Sequence, residues 1–203
     1  MSDPAPGAAL SGEPLPRAFY ARPADVVGRA LIGKHLVSTV GGEEAGGRIV
    51  ETEAYVGPHD PASHAAERIG RTARNVAMFG PPGTAYVYRS YGIHWCLNAV
   101  TDAAGHPAAV LIRALEPVEG IPLMRERRGT RDRDLARGPG RLTQALGITG
   151  ALDGHDLGIP PLRLCDGPPV PPEASDAGPR LGSSRATGWP LRFTLRGSRW
   201  LSR

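Results

Sequence analysis

The sequence predicts an α+β fold: a single domain with a curved, largely antiparallel β-sheet, flanking helices and a protruding β-hairpin. Three observations lead there. Apolar runs with two-residue alternation recur at 35–40, 48–56, 84–90, 92–100 and 108–115. Helical spacing is confined to a few short stretches that do not alternate regularly with the strands, which argues against a wound βαβ sheet. The 27 glycines and 21 prolines among 203 residues commit about a quarter of the chain to turns and loops, too many for a helical bundle.

Each element follows from local chemistry. Residues 1–16 are rich in Pro, Ala and Gly and read as a disordered tail, leaving 17–203 as the folded domain. Apolar positions from Val26 to Ile32 give an amphipathic helix, with Pro23 suited to its first turn and Gly33 to its end. His35–Val40 reads as a strand, Gly41–Glu44 as a hairpin turn, and Arg48 to about Val56 as the returning strand. Residues 57–83 hold Gly, Pro, His and Arg without period and read as a long functional loop. Thr84–Ser90 and Gly92–Val100 form a hairpin about Ser90-Tyr91-Gly92, followed by a strand at Ala108–Leu115. Pro117–Arg128 and Gly140–Leu146 are expected helices, with the charged, Gly-rich stretch 132–141 between them. Residues 166–186 read as an extended or mobile loop, and Pro190–Arg196 with Trp200 as the closing strand.

Composition narrows the function. No run approaches the roughly 18 apolar residues of a membrane span, and the start lacks the layout of a secretory signal. Cys96 and Cys165 are far apart and form no redox or metal motif, so a reduced, cytoplasmic setting is expected. The net charge of +4 pulls mildly toward polyanions. Lys34 is the only lysine among 24 basic residues, a skew that a GC-rich coding sequence explains.

Four places carry chemistry. Alternation along the 48–56 strand puts Glu51, Glu53 and Tyr55 on one face and Val50, Thr52 and Ala54 on the other. Two acids beside an aromatic either line a cleft or belong to a solvent-facing edge strand. The loop offers His59, Asp60 and His64, either as metal ligands without a common zinc spacing or with a histidine stacking opposite Tyr55. Tyr86 and Tyr88 share a face of the hairpin. Tyr91 sits at its tip, where an aromatic either wedges into stacked bases or folds back over the sheet. Asn98 and Arg113 are polar residues inside apolar strands and need partners.

In order, the segments RIVETEAYVGP from Arg48, DPASH from Asp60, RTARN from Arg71, Met78-Phe79, GTAYVY from Gly83, Tyr91-Gly92, Cys96-Leu97-Asn98, LIRALEP from Leu111, GPGRLTQAL from Gly138 and Pro190–Phe193 resemble the alkyladenine (3-methyladenine) DNA glycosylase family, compact bacterial type. The resemblance runs from about residue 17 to the end. It implies an enzyme that flips alkylated or deaminated purines from duplex DNA and hydrolyses the N-glycosidic bond with no metal or other cofactor. Glu53 would be the base that activates water, with Arg113 assisting. Tyr55, His64 and Tyr88 would sandwich the base, Asn98 would exclude a guanine amino group, and Tyr91 would fill the gap. Phosphates would be met by Arg68, Arg71 and Arg74, and by Arg128 (with Arg125 and Arg127), Gly140 and Arg141 at the helix entry.

A lyase that nicks the strand needs an amine nucleophile, and Lys34 is remote in sequence from all of these residues. A monofunctional enzyme, monomeric, nucleoid-associated and bound to damaged double-stranded DNA, is therefore expected. Two competing classes are a lesion-sensing binder without catalysis and a metal hydrolase built on His59, Asp60 and His64.

Overall fold

The computed structural model describes residues 10, 12–130, 132–182 and 185–202. Along the chain lie α1 (Arg17–Tyr20), α2 (Ala24–Ala30), β1 (His35–Ser38), β2 (Ala45–Tyr55), β3 (Ala85–Ser90), β4 (His94–Thr101), β5 (Ala108–Glu119), α3 (Ile121–Arg128), α4 (Pro139–Ala145), β6 (Leu162–Cys165), β7 (Ser175–Gly178) and β8 (Arg192–Leu195). The eight strands form one curved sheet in the order β3-β4-β5-β2-β1-β6, with β8 pairing to β2 and β7 to β8. Every strand pairing is antiparallel. The fold is thus the α+β sheet that the alternating runs predict.

The core forms where α2 and α4 lie against the sheet, around Val27, Leu31, Ile49, Leu97, Ile112, Leu115, Leu142 and Leu146. α2 approaches closely because it carries Gly28. A Cβ there would stand 2.9 Å from the Phe193 ring, and the buried Thr52 hydroxyl donates to the Gly28 carbonyl at 2.8 Å.

β2 is the strand on which the site depends. Both its edges are paired, to β5 on one side and to β1 and then β8 on the other. A solvent-facing edge strand is therefore ruled out for Glu51 and Glu53, which are fully buried. The β2–β5 register shifts between Ile49 and Glu51 and again before Thr52. One correction follows from this bulge. Val50 does not share a face with Ala54: it packs with Ala114 and Trp200, whereas Ala54 joins the main core. A bulge places two consecutive side chains on nearly the same side, so the simple alternation holds only from Glu51 onward.

Four further expectations give way. Pro117–Glu119 continues β5 and the helix begins at Ile121. Gly120 turns the corner at φ 67°, and a Cβ on it would meet the Glu44 carbonyl oxygen at 2.4 Å. Within 166–186, residues 175–178 are β-strand, because Ala177 and Asp176 pair with Phe193 and Thr194 of β8. Of the tail expected at 1–16, residues 1–9 and 11 lie outside the described residues. Leu10 is buried beside Val37 and Cys165, and the Leu15 amide donates to the Leu164 carbonyl at 2.8 Å. Trp200 lies beyond β8, packed on β2 and β5.

Candidate active site

The inner face of the curved sheet gathers the site. Register places Glu53 opposite Leu111, Leu111 opposite Asn98, and Asn98 opposite Tyr86, a row that crosses β2, β5, β4 and β3. Alternation carries Tyr55, Ala109, Arg113, Cys96 and Tyr88 to the same face. The loop after β2 closes over this row and brings Ala62 and His64. The result is a small cavity of about 50 Å³ walled by Tyr55, His64, Tyr86, Tyr88 and Asn98, with Met78 and Ala109 behind. It opens into a larger cleft bounded by Arg68, Arg74, Tyr91, Leu111, Arg113, Pro139 and Leu181.

The aromatic walls hold one another. Tyr86 and Tyr88 stack at 5.3 Å between centroids, and His64 meets Tyr88 edge-on at 4.3 Å. Nδ1 of His64 lies 2.9 Å from the Tyr86 hydroxyl, and the Asn75 side-chain amide donates to the His64 carbonyl at 2.9 Å. Burial, reinforced by the nearby Arg74 guanidinium, pushes the His64 pKa down, so the ring is neutral near pH 7. Burial also pushes the Tyr55 and Tyr88 hydroxyls up, with Glu53 adding to the effect at Tyr55. Both phenols are thus protonated donors throughout the physiological range. The Asn98 amide donates to the Tyr86 carbonyl at 3.0 Å.

Glu53 lies at the end of this aromatic box. One carboxylate oxygen, Oε2, accepts from Arg113 at 3.1 Å and from the Tyr55 hydroxyl at 3.2 Å. The other, Oε1, accepts from the Leu181 backbone N–H at 2.6 Å. The carboxylate contributes nothing to the cleft surface itself; Tyr55, Arg113, Leu111 and Leu181 stand in front of it. Arg113 is fixed from behind. Its Nε lies 3.4 Å from Glu51, and Glu51 also accepts from Arg192 at 2.7 Å and from the Ser202 N–H at 2.6 Å and hydroxyl at 2.8 Å. Two buried carboxylates are thereby balanced by two guanidinium groups, the condition under which buried charge is tolerated.

The expected site residues divide. The structure brings together Glu53, Arg113, Tyr55, His64, Tyr88 and Asn98. Tyr91 stands at the hairpin tip, 92% exposed and with φ 49°, so it is not folded back over the sheet. Arg68 and Arg74 border the cleft, while Arg71 lies over the Phe79 ring at 5.4 Å, away from the cleft lining.

The basic helix end stands apart from the cleft lining. The Arg128 guanidinium binds Gln144 and the Asp134 carbonyl, Arg125 pairs with Asp132, Arg127 donates to the Val40 carbonyl and Arg141 pairs with Asp134. None of the four borders the cleft. Their charge is spent on fastening α3 and α4 to their surroundings. Gly140 has a packing reason, since a Cβ there would meet His94 at 2.7 Å. His59, Asp60 and His64 do not converge: the Asp60 carboxylate takes two bonds from Arg180, and His59 sits 6.4 Å from the Trp189 ring. Lys34 pairs with Asp166, away from the cleft lining.

Arg180, the Leu181 amide, Ser202 and the pairing role of Asp60 were not visible beforehand. Arg180 lies in a Pro/Gly/Ser-rich stretch with no period, and its partner is 120 residues away.

The comparisons with known proteins agree with one another. The family described as methylpurine-DNA glycosylase matches residues 18–199. A protein of Myxococcus xanthus (strain DK1622) named "Putative 3-methyladenine DNA glycosylase" is 52% identical over 192 residues, 93% of each chain. Proteins of the same name are 52% identical in Rhodopseudomonas palustris (strain BisB18), over 98% of this chain and 95% of theirs, and 54% identical in Nitrosospira multiformis, over 91% of each.

Proposed function

The chain belongs to the methylpurine-DNA glycosylase family, and from that premise we propose that it excises damaged purines from duplex DNA by hydrolysis. The observation that carries this reading is the buried Glu53, bound by Arg113 and Tyr55 directly behind an aromatic-walled cavity.

An everted base enters between Tyr55 on one side and His64 with Tyr88 on the other. Eversion costs a few kcal/mol, least where damage weakens pairing. Stacking on aromatic rings returns about 1–3 kcal/mol per base, and Tyr91 fills the vacated place in the duplex. Asn98 stands where a guanine amino group would press, which favours adenine-type lesions.

Glu53 then activates water. Oε2 already accepts two hydrogen bonds and is full, while Oε1 accepts one from Leu181 and keeps a free lone pair. Oε1 is therefore the basic atom. Water reaches it between Arg113 and Leu181, which border the cleft, after a small displacement of that wall. As the glycosidic bond breaks, the sugar gains positive character and the carboxylate opposes it. A cationic alkylated purine leaves without added protons, whereas a neutral one such as hypoxanthine needs a donor. The neutral His64 ring is a poor one. Lys34, the one lysine in the sequence, pairs with Asp166 away from the cleft, so no lysine amine borders the cleft among the described residues, and an intact abasic strand is the expected product.

The test uses a duplex carrying one 3-methyladenine or hypoxanthine, with EDTA present. The expected outcome is free base without strand cleavage. Glu53→Gln keeps lesion affinity and loses about 10²–10⁴-fold in single-turnover rate. Normal turnover by that variant, or activity that the chelator removes, overturns the assignment.

A further inference from the structure

We infer that the Arg180–Asp60 ion pair positions the hydrolytic site, an inference that rests on the reading of Glu53 above. Both side chains are completely buried. The Arg180 guanidinium donates to Asp60 in two bonds, at 2.5 and 2.8 Å, and to the Ala54 carbonyl at 2.8 Å. It also lies over the Tyr55 ring, 4.7 Å from its centroid.

Three walls meet at this pair. Asp60 accepts from the Ala62 amide at 3.0 Å and the Val56 amide at 3.3 Å, which shapes the loop that delivers His64. The Ala54 carbonyl and the Tyr55 ring fix the end of β2. On the third side, the residue after Arg180 presents its N–H to Oε1 of Glu53 at 2.6 Å. Arg180 touches none of the reacting atoms; it sets the distance between those that do.

The energetics favour positioning over simple stability. A buried ion pair adds little to folding compared with apolar residues of the same volume, and here Nε of Arg180 has no hydrogen-bond partner among the described residues. An apolar pair could not hold the Ala54 carbonyl or orient the Leu181 amide. The groups facing Glu53 are the Arg113 guanidinium, the Tyr55 hydroxyl, the Leu181 amide and the nearby Cys96 thiol.

The experiment measures single-turnover base release and lesion affinity against pH for the full chain and for Arg180→Met, Arg180→Lys, Asp60→Asn and the Asp60→Asn/Arg180→Met double variant. Arg180→Met is expected to lose about 10²-fold in maximal rate, the scale of one lost electrostatic donor, with less than tenfold loss of affinity. Arg180→Lys should recover part of the rate. The double variant should be no slower than Arg180→Met, because both act through one pair.

Losses that follow affinity or melting temperature alone, with no recovery by Arg180→Lys, overturn the inference, as do additive losses in the double variant. If Arg180→Met does not fold, the isosteric Asp60→Asn and Arg180→Lys carry the same comparison. Failure of the wild-type chain to release base would instead sink the reading of Glu53.

Discussion

His64 shows how one residue serves as wall and as sensor. Burial and Arg74 depress its pKa in the folded state, so the unfolded chain binds more protons just below the ordinary value of about 6.5. Stability contributed by the neutral ring is therefore complete above that value and declines as pH falls. Melting temperature should drop between pH 7 and pH 5, and His64→Gln should flatten that decline. A remainder should persist, because burial together with Arg48 and Lys34 depresses His35 in the same direction. Calorimetry across the pH range checks the sign; a melting temperature that rises on acidification contradicts it.

Among the elements, the β3–β4 hairpin carries its function as strain. Tyr91 adopts φ 49° with nearly all its surface in solvent, a left-handed geometry that costs a non-glycine residue roughly 1–2 kcal/mol. Tyr91→Gly removes that cost and adds backbone freedom worth up to about 1 kcal/mol in the unfolded chain. Its stability should match or slightly exceed the parent's, while lesion affinity and single-turnover rate fall. An equally active Tyr91→Gly would show that the tip does not engage DNA.

This hairpin and β2 were legible because period-two alternation is a local signal; it put Glu53 and Tyr55 on one face, and the family resemblance supplied their expected roles. The Val50–Glu51 bulge was not, since a register shift depends on the facing β5. Arg180 was invisible for a different reason: an ion pair closed across 120 residues leaves no pattern near either partner. The basic run Arg125–Arg128 could be read no further, because charge spacing cannot say whether a guanidinium faces DNA or a neighbouring carbonyl.

For the whole molecule, that difference predicts how binding depends on salt. Arg68 and Arg74 border the cleft, and a separate hollow is lined by Arg133, Arg137 and Arg199. Removing a phosphate-contacting arginine should reduce the slope of log affinity against log salt by about one. Arg74→Ala and Arg137→Ala should each do so, whereas Arg128→Ala and Arg141→Ala should leave the slope alone. Titrations at several salt concentrations decide between them, and equal slopes for all four variants refute the division.

The donors that steady the two β2 carboxylates come from far along the chain: the Leu181 amide lies 128 residues after Glu53, and Ser202 lies 151 after Glu51. During synthesis, β2 therefore leaves the ribosome long before the groups that make its acids useful. A nascent or C-terminally clipped polypeptide carries the glutamates but not their harness. On the reading proposed for Glu53, competence to release bases would arrive only after Leu181 and Ser202 have been made.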